Sequence, residues 1–212
     1  NGGWRLVCYL LALVGLMLVL LNYVSFFSSV ELYRATVKKA AFSDDIKQLV
    51  SYLKDRRLLM QSAVAALLYM PLACFAEAWG IRFFDHTYQF SRLLTMLDIS
   101  MLFVGLAMGA LVLGWIYDKS GEYQLLLMIA AVSQTILVSI FLYVPELSAL
   151  KIAVVLLLLG FFSGSLVVIL ALNRRLATRR HAGKVFGVTN FFMMLSSLSA
   201  VLVGIVLHVV KT

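Results

Sequence analysis

Charged residues are scarce in this sequence. They make up 13% of its 212 residues, against roughly 25% in an ordinary soluble domain, whereas hydrophobic residues make up 63%. This composition excludes a water-soluble globular fold. Charge is absent altogether from six stretches of about 19 residues or more: 6–24, 58–76, 99–117, 123–145, 152–173 and 185–210.

The length of these stretches indicates helices that cross a membrane. At a rise of about 1.5 Å per residue, each can span a hydrocarbon layer of roughly 30 Å. Strands of membrane barrels are only about 10 residues long and alternate polar with apolar side chains. The sequence therefore predicts an all-α polytopic membrane helix bundle with six transmembrane helices.

Signatures of enzymes and metal sites are missing as well. There is no H-E-x-x-H motif, no phosphate-binding Walker loop and no cysteine pair at metal spacing. Both cysteines, Cys8 and Cys74, fall in apolar stretches, where a thiol behaves as a small hydrophobic group. The histidines, His86, His181 and His208, are too scattered along the predicted topology to share a metal ion. We therefore predict no enzyme activity, no cofactor and no metal.

The positive charge is unevenly placed along the chain. The net charge is +8, and most lysines and arginines fall in residues 25–57 and 174–184. Basic segments stay on the cytoplasmic side of a membrane, which predicts that these two segments are cytoplasmic and that both chain ends are external. Six spans alternating from an external N-terminus reproduce this partition. Because topology accounts for the charge, no nucleic-acid partner is expected.

Residues 25–57 form the longest polar segment and contain a predicted amphipathic helix. Ser43, followed by two aspartates, is a plausible helix start, because its hydroxyl can cap free N–H groups. One apolar stripe then recurs at helical spacing, formed by Ile46, Leu49, Val50 and Leu53. The helix either lies on the cytoplasmic membrane surface or packs, solvated, on neighbouring helix ends.

A second polar stretch, residues 82–98, is predicted to be an external connection. Its charges are mixed in sign and are expected to form a solvated rim: Arg82, Asp85, His86, Arg92 and Asp98. The other connections, 118–122, 146–151 and 174–184, are too short for an extramembrane domain.

The most specific motif is the segment Gly114-Trp-Ile-Tyr-Asp118-Lys119-Ser-Gly121, where one span ends and the next begins. Gly114 would allow a close helix neighbour, and Gly121 would support a tight turn. Asp118 could accept hydrogen bonds from a free helix N-terminus or pair with a cation. By itself the pattern is also typical of an ordinary helical hairpin.

This segment resembles the G-x-x-x-D-[RK]-x-G loop of the major facilitator superfamily of secondary transporters. The opening Gly3-Trp4-Arg5, the basic linker and the stretch from Arg179 to Asn190 are similar to the same family. One departure is that Glu122 follows the second glycine, where the family usually has a basic residue.

The resemblance implies a division of the chain into three parts. Residues 1–24 would be the last helix of the N-terminal half, 25–57 the cytoplasmic linker, and 58–212 the C-terminal half without its final helix. The chain would then cover helices six to eleven of the fold, and the N-terminal half of the same protein would be missing.

The resemblance also implies a function. The protein would move a small solute across the bilayer by alternating access, coupled to protons, in a bacterial inner membrane. A non-transporting membrane sensor or assembly partner on the same scaffold is the main alternative. An intramembrane enzyme acting on lipid would need two convergent catalytic groups, and the sequence shows only isolated ones.

Polar residues inside the spans are the candidates for the pathway. Glu77 is predicted to be the only acidic residue within a span, where a carboxylate costs a few kcal/mol unless it is paired, hydrated or protonated. It would either serve coupling or merely pair with Arg82. The other residues expected to line a cavity are Tyr69, Gln134 and Asn190, with Trp79 as an aromatic wall, and the cytoplasmic gate would comprise Gly114, Asp118, Lys119 and Gly121.

Two glycine pairs are expected to serve packing. Gly105 with Gly109, and Gly160 with Gly164, are each spaced four residues apart, so each pair lines one helix face. Such smooth faces permit close crossing by a partner helix and can slide during a rocking motion.

Overall fold

A computed structural model describes the backbone of residues 3–36, 42–144, 147–177 and 181–211. This part of the chain is helical almost throughout and contains no strand. Its elements are α1 (Gly3–Thr36), α2 (Phe42–Tyr52), α3 (Arg56–Leu72), a π-helical turn (Ala73–Trp79), α4 (Gly80–Tyr88), α5 (Arg92–Ser120), α6 (Tyr123–Tyr143), α7 (Ala149–Ser163), α8 (Leu166–Leu176), α9 (Ala182–Ser196) and α10 (Leu198–Lys211).

Six helical stretches in the described residues are long and apolar enough to cross a membrane, which confirms the predicted fold class. They are Gly3–Ser25, Arg56–Tyr88, Arg92–Ser120, Tyr123–Tyr143, Ala149–Leu176 and Ala182–Val206. Three of them are interrupted: by the π-helical turn, by a break at Gly164 and Ser165, and by a break at Ser197. The chain divides into two compact units, residues 1–46 and 47–212.

The first unit is dominated by one helix. α1 begins at the predicted Gly3 but continues past residue 24 to Thr36. The start of the predicted linker is therefore a continuation of the same helix, because no glycine or proline interrupts the chain from Trp4 to Thr36 except Gly15. The predicted capping side chains of residues 43–45 lie outside the described side chains.

The part of α2 that belongs to the second unit packs on helix ends. The Lys184 ammonium donates a hydrogen bond to Gln48 Oε1 at 2.7 Å. The ring centroids of Tyr52 and His181 lie 6.4 Å apart. This part of α2 therefore packs on the beginning of α9, and whether the helix also lies on the membrane surface stays a prediction. The apolar stripe beyond these contacts stays exposed, including Leu49, Val50 and Leu53.

The predicted connection 82–98 is wrong. α4 continues to Tyr88 and α5 begins at Arg92, so only residues 89–91 connect two helices here. Ser91 caps α5 by accepting a hydrogen bond from the Leu94 N–H at 3.4 Å. The span predicted from the absence of charge is too short at this end. Helix α4 carries charged side chains on its exposed face, while Phe84 on another face is buried.

The core of the second unit consists of three apolar clusters. The largest joins α3, α4, α5, α6 and α7 and is rich in aromatic contacts; its buried members are Leu72, Phe84, Ile99, Leu102, Leu137, Phe141, Leu147, Ile152, Leu156 and Leu159. A second surrounds Leu68 and Ile169. A third, around Leu58 and Val185, lies where α3 meets α9.

The most extensive contact between helices joins α5 and α7. A Cβ added at Gly105 would lie 1.9 Å from the Leu157 carbonyl oxygen, and one at Gly160 would lie 1.9 Å from the Leu102 carbonyl oxygen. Only glycine fits at such distances, so the backbones touch directly. The two predicted glycine pairs thus face each other across one interface. Residue numbers rise together along it, so α5 and α7 run parallel.

Candidate functional site

A proline and a π-helical turn interrupt the helix that carries Glu77. Pro71 has no N–H group and so cannot make the hydrogen bond to the residue four positions earlier. The chain then winds into the π-helical turn Ala73–Trp79, which closes with the Gly80 N–H donating to the Phe75 carbonyl. A Cβ on Gly80 would lie 2.0 Å from that carbonyl oxygen, so glycine suits the position. Turns of this kind are frequent at functional sites.

This turn brings Glu77 to Tyr69. The Tyr69 hydroxyl donates a short hydrogen bond to Glu77 Oε1. Glu77 is exposed, and Tyr69 is half-buried against the two larger apolar clusters. The alternative pairing with Arg82 does not occur; the Arg82 guanidinium instead lies 5.6 Å from the centroid of the Trp79 ring. A carboxylate therefore stands on the surface of an apolar span with a phenol as its hydrogen-bond partner.

Trp79 joins the π-helical turn to α10. Its indole N–H donates to the Ala200 carbonyl at 2.7 Å. The ring packs against Gly204, where an added Cβ would lie 2.9 Å from it. Beside it, Cys74 Sγ and Ser199 Oγ are 3.1 Å apart. The turn that presents Glu77 is thus held from behind by α10.

The structure does not bring the remaining pathway candidates together with Glu77. Gln134 is only 4% exposed, and its amide donates to the Leu68 carbonyl at 3.2 Å and to Ser163 Oγ at 2.9 Å. It links α6 to α3 and α7. Asn190 is exposed and has no hydrogen bond within the described chain.

A buried polar cluster lies next to Asn190. Thr189 Oγ1 accepts a hydrogen bond from the Asn173 amide at 2.8 Å and one from the Ser62 hydroxyl at 3.3 Å, and it donates to the Val185 carbonyl. All three polar side chains are fully buried. This cluster joins α3, α8 and α9, and the sequence singled out its neighbour instead.

The segment from Gly114 to Gly121 forms the predicted turn. Gly121 has a positive φ of 71°, which glycine adopts without strain, and its N–H caps α5 at the Tyr117 carbonyl. A Cβ on Gly114 would make only an ordinary contact of 3.5 Å with Val167, so the expected close helix neighbour is absent at this residue. Asp118 is exposed and makes no hydrogen bond or ion pair with the described residues.

Neighbouring aromatic residues hold the basic side chains at this end of α5. The Lys119 ammonium lies 5.2 Å from the Trp115 ring centroid. The Arg175 guanidinium, at the end of α8, lies 5.1 Å from the ring of the buried Tyr117. The contact of Arg175 with Tyr117 ties the motif to α8.

Asp98 is the functional candidate that the sequence reading missed. The sequence predicts it in a solvated rim, yet it lies within α5 and is only 5% exposed. Glu77 is therefore not the only acidic residue within a span; Asp85 and Asp98 also lie within candidate spans. The signal that could have shown this is the capping serine at residue 91, followed by Thr95, Asp98 and Leu102 at helical spacing.

Comparison with known families agrees with this architecture. The family model of the Major Facilitator Superfamily matches residues 1–201. The chain belongs to the major facilitator superfamily. Neither a curated protein nor a solved structure matches it. Members of the superfamily are membrane transporters of small solutes rather than enzymes, so the chain is an integral membrane protein of the transporter class.

Proposed function

We propose that the protein is a secondary active transporter, which moves a small solute by alternating access and is driven by a proton gradient across a bacterial inner membrane. In this proposal the chain supplies helices six to eleven, and the rest of the same protein supplies the other helices around a shared cavity. No cofactor is required. The observation that carries the proposal is the exposed Glu77 in the π-helical turn, with Tyr69 as its partner.

The position of Glu77 supports a role in the pathway. A carboxylate within an apolar span is costly, and such residues generally face a water-filled cavity or a partner helix. Among the described residues no cation pairs with Glu77, and the Arg82 guanidinium lies against the Trp79 ring instead. A proton or a positively charged group of the solute could therefore neutralise it.

Tyr69 gives this carboxylate a fixed direction. A carboxylate accepts the phenol hydrogen bond in its charged form, and the phenol can turn its hydroxyl to accept once the acid is protonated. The pair can thus keep one geometry in both protonation states. Asn190, also exposed, is a second polar group available to a solute, whereas Gln134 serves helix packing in our proposal.

Asp118 is proposed to act at the cytoplasmic gate. It is exposed at the end of α5, next to the turn at Gly121. In an inward-closed state it would anchor this helix end to the N-terminus or a cation of a neighbouring helix. Lys119 stays with Trp115 and does not compete for the carboxylate.

Transport itself is tested with the full-length protein in liposomes that contain a pH-sensitive dye. Sugars, amino acids, carboxylic acids and organic cations are added one at a time, under an imposed pH gradient and without one. We expect at least one class to move protons in protein-containing liposomes and not in empty ones. If none of these classes does so in a correctly folded preparation, a sensor or assembly role on the same scaffold replaces the proposal.

A further inference from the structure

Asp98 is a buried acid without a hydrogen-bond partner among the described residues. Its Oδ2 atom is inaccessible and has no hydrogen-bond partner, and the residue makes no other hydrogen bond or ion pair with the described chain. Its neighbours on the same helix face, Thr95 and Leu102, are fully buried. A charged carboxylate in such surroundings would be strongly penalised unless it were neutralised.

No charged group on the packed elements offsets this burial. α5 packs against α4, the π-helical turn, α6, α7 and α8. The charged or titratable side chains on these elements and on α5 itself that are exposed are Glu77, Arg82, Asp85, His86, Arg92, Asp118, Lys119, Tyr143, Lys151, Arg174 and Arg175. The partly buried or buried phenols Tyr69, Tyr88, Tyr117 and Tyr123 carry no charge. None of these groups makes a hydrogen bond or ion pair with Asp98 in the structure.

Two polar residues lie between the surface and the turn of α5 that carries Asp98. Asp85, at the end of α4, is exposed and accepts a hydrogen bond from the buried Thr95 hydroxyl at 3.4 Å. Thr95 lies one turn before Asp98, on the same face of α5. Asp98 itself lies about 9 Å from the beginning of α5, within the candidate span. On the predicted topology this end of α5 is external.

We propose that Asp98 is a second proton-binding site, which exchanges its proton with external water at the end of α5 where Asp85 is exposed. The site is distinct from the Glu77–Tyr69 pair, and its part in transport rests on the proposed function. In the closed surroundings seen here the carboxyl holds its proton. When α5 moves relative to α4 and water reaches the carboxyl, the proton leaves to that water and the carboxylate is restored.

The test uses dicyclohexylcarbodiimide, a lipid-soluble reagent that modifies protonated carboxyls in apolar surroundings. The full-length protein is treated from mildly acidic to mildly alkaline pH, and the peptide containing Asp98 is measured by mass spectrometry. We expect an adduct at Asp98 that declines as the pH rises. Asp98→Asn should abolish it, and the exposed Glu122 should remain unmodified as an internal control. No adduct at any pH, or an adduct of constant yield, would overturn the proposal.

A second measurement connects the site to transport. In proteoliposomes, Asp98→Asn should keep solute exchange and lose the movement of protons that accompanies it. Proton movement equal to the wild type would overturn the role of Asp98 in coupling. If the wild-type protein moves no solute, the proposed transport function fails, but the pH-dependent adduct still decides whether Asp98 binds a proton.

Discussion

The α5–α7 contact and the π-helical turn of the α3–α4 stretch use glycine in opposite ways. Between α5 and α7, Gly105, Gly109 and Gly160, together with Gly164 at the end of α7, let the two helices touch along their backbones, and none of the described hydrogen bonds joins side chains across them. In the α3–α4 stretch, Gly80 allows one helix to wind irregularly, and the result is a hydrogen bond between Tyr69 and Glu77. Regular packing of α5 on α7 thus gives the bundle a rigid contact, whereas the irregular winding of the α3–α4 stretch positions Glu77.

The largest loss of stability is expected from filling the α5–α7 contact. In Gly109→Ala the new Cβ would lie 1.9 Å from the Phe161 carbonyl oxygen, and two packed helices must separate to admit it. The cost should be about 3 kcal/mol or more. Thermal unfolding of the full-length protein in detergent measures it.

The matched control is Gly187→Ala, because nothing lies within 4 Å of an added Cβ at that helical position. Its melting temperature should equal or exceed that of the wild type. Equal melting of the Gly109 and Gly187 variants would show that the α5–α7 backbones are not in contact.

Gly80→Ala separates the two uses of glycine. Its Cβ would clash with the Phe75 carbonyl of the same helix, and the chain can relieve this by rewinding the π-helical turn. We expect a smaller loss of melting temperature than for Gly109→Ala, together with a transport defect as deep as that of Glu77→Gln. Wild-type transport in this variant would show that the role of Glu77 in transport does not depend on the π-helical turn.

An intermediate loss of stability is expected at the α3–α9 contact, where buried side chains form hydrogen bonds with one another. Thr189→Val removes the acceptor of the Asn173 amide and of the Ser62 hydroxyl, and should cost about 1–3 kcal/mol. The control is Thr135→Val, since Thr135 is exposed and bonds only to its own helix at Ala131. If both variants unfold at the same temperature, the buried cluster contributes nothing beyond local helix bonds.

The smallest effect on stability is expected for Asp118→Asn, because this side chain is exposed and has no partner among the described residues. Its predicted effect is on the balance of states: the variant should favour the inward-open state. Accessibility of single cysteines to water-soluble maleimides, introduced on both sides after removal of Cys8 and Cys74, measures that balance. An unchanged pattern, with unchanged transport, would reduce the segment to a hairpin turn.

The sequence predicted those parts of the fold that depend on composition or on short spacing. Spacings of four residues indicated the glycine faces of α5 and α7, and Gly121 indicated the turn after α5. The site was harder, since Tyr69 and Glu77 are eight residues apart and a regular helix would separate them by about 12 Å. The π-helical turn brings Tyr69 and Glu77 together, and no residue pattern used in the sequence analysis predicted this turn.

The assignment of Asp98 failed for a different reason. Charge was used to mark where spans end, and this criterion treats every acid as solvated. This criterion fails for a buried carboxyl, because the burial of Asp98 depends on which face of α5 meets its neighbours. The helix start at Ser91 and the helical spacing of Thr95, Asp98 and Leu102 indicate that face in the sequence, but only the packing of α5 shows that it is buried.

The central claim is that Glu77, presented by the π-helical turn, couples the solute to protons. Glu77→Gln keeps the shape of the side chain and removes its charge, and Glu122→Gln is the matched change at an exposed acid next to the turn after α5. The decisive measurement is accumulation of the identified solute under a pH gradient, in proteoliposomes that contain the full-length protein. We expect Glu77→Gln to lose accumulation while keeping exchange of solute at equilibrium, and Glu122→Gln to accumulate like the wild type. Wild-type accumulation by Glu77→Gln would contradict the claim.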